Sequence, residues 1–108
     1  MKQGVDKDIL KKKTDEKGYV FLIAHGSSML PTIRDNDRVC ISKAEKVSIG
    51  DVIGYFLDNG DCLDIIVIHR VVFVRETYVL ARRDNNSFID PIRIPISSIL
   101  GVVTEHEV

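Results

Sequence analysis

Val52-Ile53-Gly54-Tyr55-Phe56-Leu57, followed by Asp58-Asn59-Gly60-Asp61 and then Cys62-Leu63-Asp64-Ile65-Ile66-Val67-Ile68-His69-Arg70-Val71-Val72-Phe73-Val74, carries the clearest structural signal in the sequence. Two apolar runs rich in β-branched side chains flank an Asn-Gly pair, and Asn-Gly suits the left-handed backbone positions of a tight hairpin turn. The expectation is an antiparallel hairpin with strands at 52–57 and 62–74. So long a return strand in a small domain must coil with its sheet, so a bend or bulge is expected along it. Period-two alternation puts His69 on one face with Ile65, Val67, Val71 and Phe73, and Arg70 on the other with Ile66, Ile68, Val72 and Val74.

Outward from the hairpin, the same pattern of short strands and turn signals repeats. Upstream, the apolar run 19–24 reads as a strand; Gly26 and Pro31 then stop the pairing, with Ser27 and Ser28 between them on the turn. Residues 33–37 are polar and turn-forming, 38–42 alternate as a short strand, and Ile49-Gly50-Asp51 is a further turn. Downstream, 75–77 turn, 78–82 pair back, and 83–91 form a polar loop. Pro91 and Pro95 confine the extended segment 92–96 to an edge, 97–100 read as a one-turn element, and 101–105 as a closing strand. The fold class is therefore mostly β, a coiled antiparallel barrel or sandwich over residues 18–108. Residues 1–17 precede it with six lysines, four acidic groups and only Val5, Ile9 and Leu10 as sizeable apolar side chains. They read as a charged arm or a short helix with a narrow apolar stripe.

The 108 residues suffice for one domain with a real core. Fifteen basic residues against 16 acidic leave no basic excess, and Trp is absent, which argues against nucleic acid as a partner. The three histidines, His25, His69 and His106, are scattered and neither Cys40 nor Cys62 sits in a Cys-x-x-Cys pair, so no metal or other cofactor is expected. Both cysteines fall in apolar segments, as small buried side chains in a reducing compartment do, although a disulfide between them stays open. The apolar run 65–68 is far too short to cross a bilayer, and Lys and Asp near the N-terminus stand where a signal peptide would need an apolar segment. The expected location is cytoplasmic, with association at a membrane surface left open.

Three kinds of residue could combine into chemistry. A serine on a tight turn at a strand end, here Ser28 with Ser27 beside it, exposes its hydroxyl while backbone N–H groups stay at hand. It needs a base to take its proton. His69 is an imidazole with an ordinary pKa of about 6.5, suited to that task. A carboxylate that fixes the imidazole tautomer would complete the set, and Asp84 and Asp90 both stand in the loop after 78–82. Each residue also has a plain structural use, as a turn serine, a satisfied core histidine or a turn-forming aspartate.

In order along the chain, Gly26-Ser27-Ser28-Met29-Leu30-Pro31-Thr32-Ile33 resembles the Ser-Met-x-Pro-Thr box of type I signal peptidases. Ile49-Gly50-Asp51-Val52-Ile53 resembles their Gly-Asp-Val-Val box, and His69-Arg70-Val71-Val72 their Lys/His-Arg-Val box. Asp84-Asn85-Asn86 with Asp90 is similar to the Gly-Asp-Asn-Asn…Asp box, and Ile33-Arg34-Asp35-Asn36-Asp37 to a turn shared with the LexA/UmuD-type self-cleaving repressors. The resemblance implies a coiled, mostly antiparallel β-fold and a serine endopeptidase that needs no cofactor. With His69 at the base position, the chain looks like the endoplasmic-reticulum, archaeal and sporulation-type branch rather than the Ser-Lys enzymes. The roles implied are Ser28 as nucleophile, His69 as general base, Asp90 or Asp84 as the orienting carboxylate, and Ser28 with Ser27 at the oxyanion. The implied partner is a peptide or precursor protein bound as an extended strand beside Tyr19, Phe21 and Ile23, with Met29 next to it. Two positions depart from the boxes: Gly26 stands where many signal peptidases carry a serine, and Arg83 stands where the Asp-Asn box has Gly. A peptide-binding module on the same fold, without the chemistry, is the competing expectation.

Overall fold

The computed structural model describes residues 2–57 and 64–107. In chain order its elements are β1 (Lys2–Val5), α1 (Lys7–Lys17), β2 (Tyr19–Ile23), β3 (Arg38–Ser42) and β4 (Val52–Leu57). These are followed by β5 (Asp64–Val74), β6 (Tyr78–Arg82), β7 (Ile94–Pro95), a 3₁₀ turn at Ile96–Ser98 and β8 (Ile99–Glu107). The expected hairpin turn at 58–61 and Cys62 lie outside the described residues. The strands it was to join do pair antiparallel, with Val52 opposite Arg70 and Leu57 opposite Ile65.

The strands form one antiparallel sheet in the order β2-β3-β8-β4-β5-β6-β7. Beyond β4, the other edge of β5 is shared: β1 pairs with its first part, from Val5–Asp64 to Lys2–Val67, and β6 with its last, from Arg70–Arg82 to Val74–Val79. The charged segment 1–17 thus contains a strand as well as a helix, and the strand's few apolar residues carry no period that announces it. The helix is delimited as elementary capping predicts. The Asp6 carboxylate accepts from the Asp8 and Ile9 N–H groups, and Gly18, at φ 82°, closes it by donating its N–H to the Thr14 carbonyl. Its buried stripe is Leu10 and Thr14, whereas Ile9 is 56% exposed.

β4 and β5 are buried on both faces, which is why they read as nearly continuous apolar runs. Val52, Phe56, Ile66 and Ile68 face one core, shared with Val39, Ile41, Met29, Ile33, Leu100 and Leu10 of the helix. Ile53, Tyr55, Val67 and Val71 face a second core, completed by Val79, Ala81 and Ile94. Because Val20 and Leu22 of β2 reach the same core as Ile66 and Ile68 of β5, the sheet curls around it. The expected bulge in the long strand lies where the register passes from Val71–Ala81 to Phe73–Leu80. It shifts the alternation: Val74, not Phe73, returns to the face of Val71 and packs in the second core. Phe73 instead lies beneath the Arg75 guanidinium, 4.3 Å from its ring centroid. No helix of the described residues is long and apolar enough to cross a membrane.

Gly54 and Gly101 face each other across β4 and β8, where the strands crowd β3. A Cβ on Gly101 would run into the Ser42 carbonyl, which is backbone, whereas one on Gly54 would meet the Ile41 Cδ1 at 2.7 Å, the end of a flexible side chain. Gly101→Ala should therefore cost about 2–3 kcal/mol and Gly54→Ala clearly less, read as the drop in urea midpoint. Equal losses would contradict this account of the β3–β8 approach.

Candidate active site

The pairing of β2 with β3 ends at Ala24, whose N–H donates to the Asp37 carbonyl and whose carbonyl accepts from Asn36. The chain then enters the serine turn through Gly26, at φ 97°, a conformation that favours glycine. The Gly26 N–H is held by the Asp35 carboxylate at 2.9 Å. The turn tightens through bonds from the Leu30 N–H to the Ser27 carbonyl and from the Ile33 N–H to the Met29 carbonyl. Met29 and Ile33 are fully buried and pin this turn to the first core. Ser27 is exposed and Ser28 half-buried above them. Met29, expected along the path of a bound peptide, thus sits beneath the turn instead, its Sδ accepting the Asp84 N–H at 3.4 Å.

His69 lies in the middle of β5, opposite Ile53 of β4, on the face of Val67 and Val71. It is one of few buried polar side chains and it is satisfied: its Nδ1 is 2.6 Å from Oδ2 of Asp90. Nδ1–H donating to that carboxylate leaves the Nε2 lone pair as the ring's basic site. Burial pushes the imidazole below its ordinary value of 6.5, the Asp90 charge and hydrogen bond oppose that shift, and the Arg83 charge adds to it. Tyr55 stands edge-on to the ring, centroids 6.2 Å apart, with its hydroxyl 3.5 Å from Nδ1. Burial and the Asp90 charge push the Tyr55 hydroxyl far above 10, so it stays a neutral phenol.

The two aspartates are separated by the fold. Asp90 is carried back towards the sheet by a bond from its N–H to the Ala81 carbonyl and by the bridge between Arg82 and Ile89. Asp84 does not touch His69. Its Oδ1 accepts from Arg70 Nε and its Oδ2 from Arg70 Nη2, each at 2.8 Å, and Oδ2 also accepts from Thr32 Oγ1 at 2.5 Å. Arg70 Nη1 reaches the Gly50 carbonyl at 2.7 Å. The Arg70 hydrogen bonds hold the Asp84 carboxyl below its usual 3.8.

These elements enclose a cavity of about 610 Å³, lined on its polar side by Ser27, Ser28, His69 and Asp90. That volume is ordinary for a ligand site. The loop and the serine turn are stitched directly, since the Asn85 N–H donates to the Ser28 carbonyl at 2.9 Å. Ser28, Ser27, His69 and Asp90 therefore share one cavity, while Asp84 stands behind it and Tyr19, Phe21 and Ile23 lie along the outer face of β2. Among the described residues no cluster of His, Cys, Asp and Glu could hold a metal ion. Tyr55, Arg70 and Thr32 went unassigned from sequence. The hairpin register offered a signal for Tyr55, which stands opposite Val67 and hence on the face of His69.

No protein of curated function matches the chain. Residues 2–104 match the Peptidase S24-like family, which spans every element described above except the end of the last strand. The chain belongs to the Peptidase S24-like family.

Proposed function

We propose that the protein is a serine endopeptidase that cleaves a peptide or precursor protein by acyl transfer, with Ser28 as nucleophile and His69 as general base. The observation that carries this reading is the 2.6 Å bond between His69 Nδ1 and Asp90 beside a cavity that Ser28 also lines. With Nδ1–H given to Asp90, Nε2 accepts the Ser28 hydroxyl proton as Oγ attacks the carbonyl carbon, and returns it to the leaving amine. Water then hydrolyses the acyl-enzyme by the same base. The developing oxyanion is assigned to the Ser28 N–H with Ser27 beside it, since Gly26 offers no hydroxyl. Asp90 orients the imidazole and Asp84 acts at a distance, through the loop and the serine turn that it ties together. A histidine base is similar to the endoplasmic-reticulum, archaeal and sporulation-type branch of signal peptidases.

An extended substrate has a place to dock. The Gly18 carbonyl accepts from the Lys43 N–H and the Ala24 N–H donates to the Asp37 carbonyl, at the two ends of β3, so alternation turns the backbone groups of Tyr19, Phe21 and Ile23 to the other edge of β2. A peptide can add there as a further strand.

Co-expression with candidate precursor proteins, followed by mass spectrometry, should reveal one cut that Ser28→Ala abolishes, a loss of about 10³-fold or more. Equal cutting by both proteins would sink the assignment; peptide binding without cutting by either would make the chain a docking module.

The pH profile follows from His69. A base works in its neutral form, and burial lowers its pKa, so cleavage should fall only as pH drops through a midpoint below 6.5. A midpoint above 6.5 in the kcat/KM profile would contradict this. Asp90→Asn should lower kcat by about 10²–10⁴ with little loss of stability, because an amide favours the wrong tautomer. Asp84→Asn should instead lower stability by about 1–3 kcal/mol, as it loses charge-assisted bonds to Arg70. The two effects are separable by comparing kcat with the urea midpoint.

A further inference from the structure

Arg83 stands where the Asp-Asn box of the signal peptidases that the sequence resembles has glycine, and the fold puts it at the edge of the cavity. In β6, Val79 and Ala81 face the core that carries His69, and Leu80 and Arg82 face away. Continuing that alternation past the end of the strand puts Arg83 on the side of His69, and it lines the cavity with Asn85 and Asn86. The nearby carboxylates are already engaged: Asp84 by Arg70 and Thr32, and Asp90 by His69. Among the described residues the Arg83 side chain has neither an ion pair nor a hydrogen bond. Its charge is nonetheless felt inside: it adds a little to the lowering that burial causes at His69 and offsets a little of the rise at Tyr55. The rest of the lining includes Tyr55, Leu57, Val67, Pro91 and Ile92, which are apolar apart from the Tyr55 hydroxyl.

A cation that has no partner among the described residues, in a partly apolar cavity, favours a ligand that presents a carboxylate next to an apolar group. The guanidinium fork suits a carboxylate because two N–H groups reach its two oxygens in one plane. We propose that Arg83 is a specificity residue that selects peptides carrying a Glu or Asp side chain within reach of the cavity mouth, with an apolar residue beside it against the apolar part of the lining. This rests on the reading of the cavity as the peptide site. The acidic side chain is a feature of the substrate, and it takes no part in the acyl transfer.

The test separates binding from cleavage. The Ser28→Ala protein is titrated with N-acetylated, C-amidated octapeptides of Ala and Val that carry one Glu, moved from position to position, each matched by its Gln counterpart. Fluorescence anisotropy of labelled peptides gives Kd. At one position or two neighbouring ones, the Glu peptide should bind about five- to tenfold tighter than the Gln peptide, a preference that shrinks in high salt. Arg83→Gln should erase the preference, and Arg83→Glu should reverse it in favour of Lys peptides, with urea midpoints unchanged because the side chain is exposed. Equal binding of Glu and Gln peptides at every position, a preference that survives Arg83→Gln, or no binding of any peptide up to millimolar concentration would each overturn the proposal. Incubating the wild type with the same peptides tests the peptidase reading on its own. Acid-selective binding without Ser28-dependent cleavage leaves Arg83 in its role and removes the enzyme, whereas cleavage without preference does the reverse.

Discussion

The site depends on one bidentate ion pair. Arg70 gives two N–H groups to Asp84 and a third to the Gly50 carbonyl, and Asp84 also takes the Thr32 hydroxyl. Four segments meet there: the middle of β5, the turn before β4, the serine turn, and the loop after β6. The pair is unevenly buried, Arg70 at 30% and Asp84 at 8% side-chain exposure, so the arginine stays partly hydrated while the carboxylate relies on its donors. Such a pair contributes little net stability compared with well-packed apolar groups, but removing one partner strands the other. Its value is geometric. With Asp84 fixed, its own N–H lies on Met29 Sδ and the next N–H on the Ser28 carbonyl, so the loop and the turn cannot slide past each other.

The tie and the proposed base come from consecutive residues. In a strand, neighbours point to opposite faces, so Arg70 fastens one side of the sheet while His69 lines the cavity on the other. This needs β5 to be enclosed on both sides, which the two cores provide. Enclosure also has an electrostatic consequence. An imidazole with 6% exposure has lost most of its water, and the cost falls on its charged form. Asp90 at 2.6 Å offsets part of that cost and settles which nitrogen carries the proton. The bulge after Val71 comes just beyond these two residues, so the strand coils without disturbing their opposition.

The antiparallel pairing of 52–57 with the long strand was legible because β-branched runs and turn residues agree there, and so was the opposition of His69 and Arg70, because alternation is fixed by the pleat. The strand β1 was not legible. Its sequence, Lys-Gln-Gly-Val, has no apolar period, and its pairing with β5 is a tertiary event. The position of Phe73 was misjudged for the converse reason, since a bulge was expected but its place was not, and one extra residue inverts every later side chain. Met29 illustrates a limit of motif reading: its place beside the serine suggested contact with substrate, while burial shows it anchoring the turn from below. The separation of Asp84 from Asp90 depends on how a polar loop folds back. That is decided by the Asp90 N–H on the Ala81 carbonyl, a backbone bond that composition does not announce.

The charges around His69 give the site its character. Asp90 stabilises the imidazolium and Arg83 disfavours it, and burial outweighs the carboxylate, so the ring is held neutral near neutral pH. A base kept neutral by desolvation is available without first losing a proton, but its conjugate acid is correspondingly strong. In the proposed acyl transfer that favours the step in which the same group would protonate the departing amine. Too large a depression would make the imidazole too weak a base to take the hydroxyl proton. The 2.6 Å bond to Asp90 works against that excess, while its geometry keeps Nε2 as the acceptor. The carboxylate thus has two functions that one atom pair cannot separate, setting the tautomer and limiting the shift. Asp84, engaged on both oxygens by Arg70 and Thr32, could not take over either one.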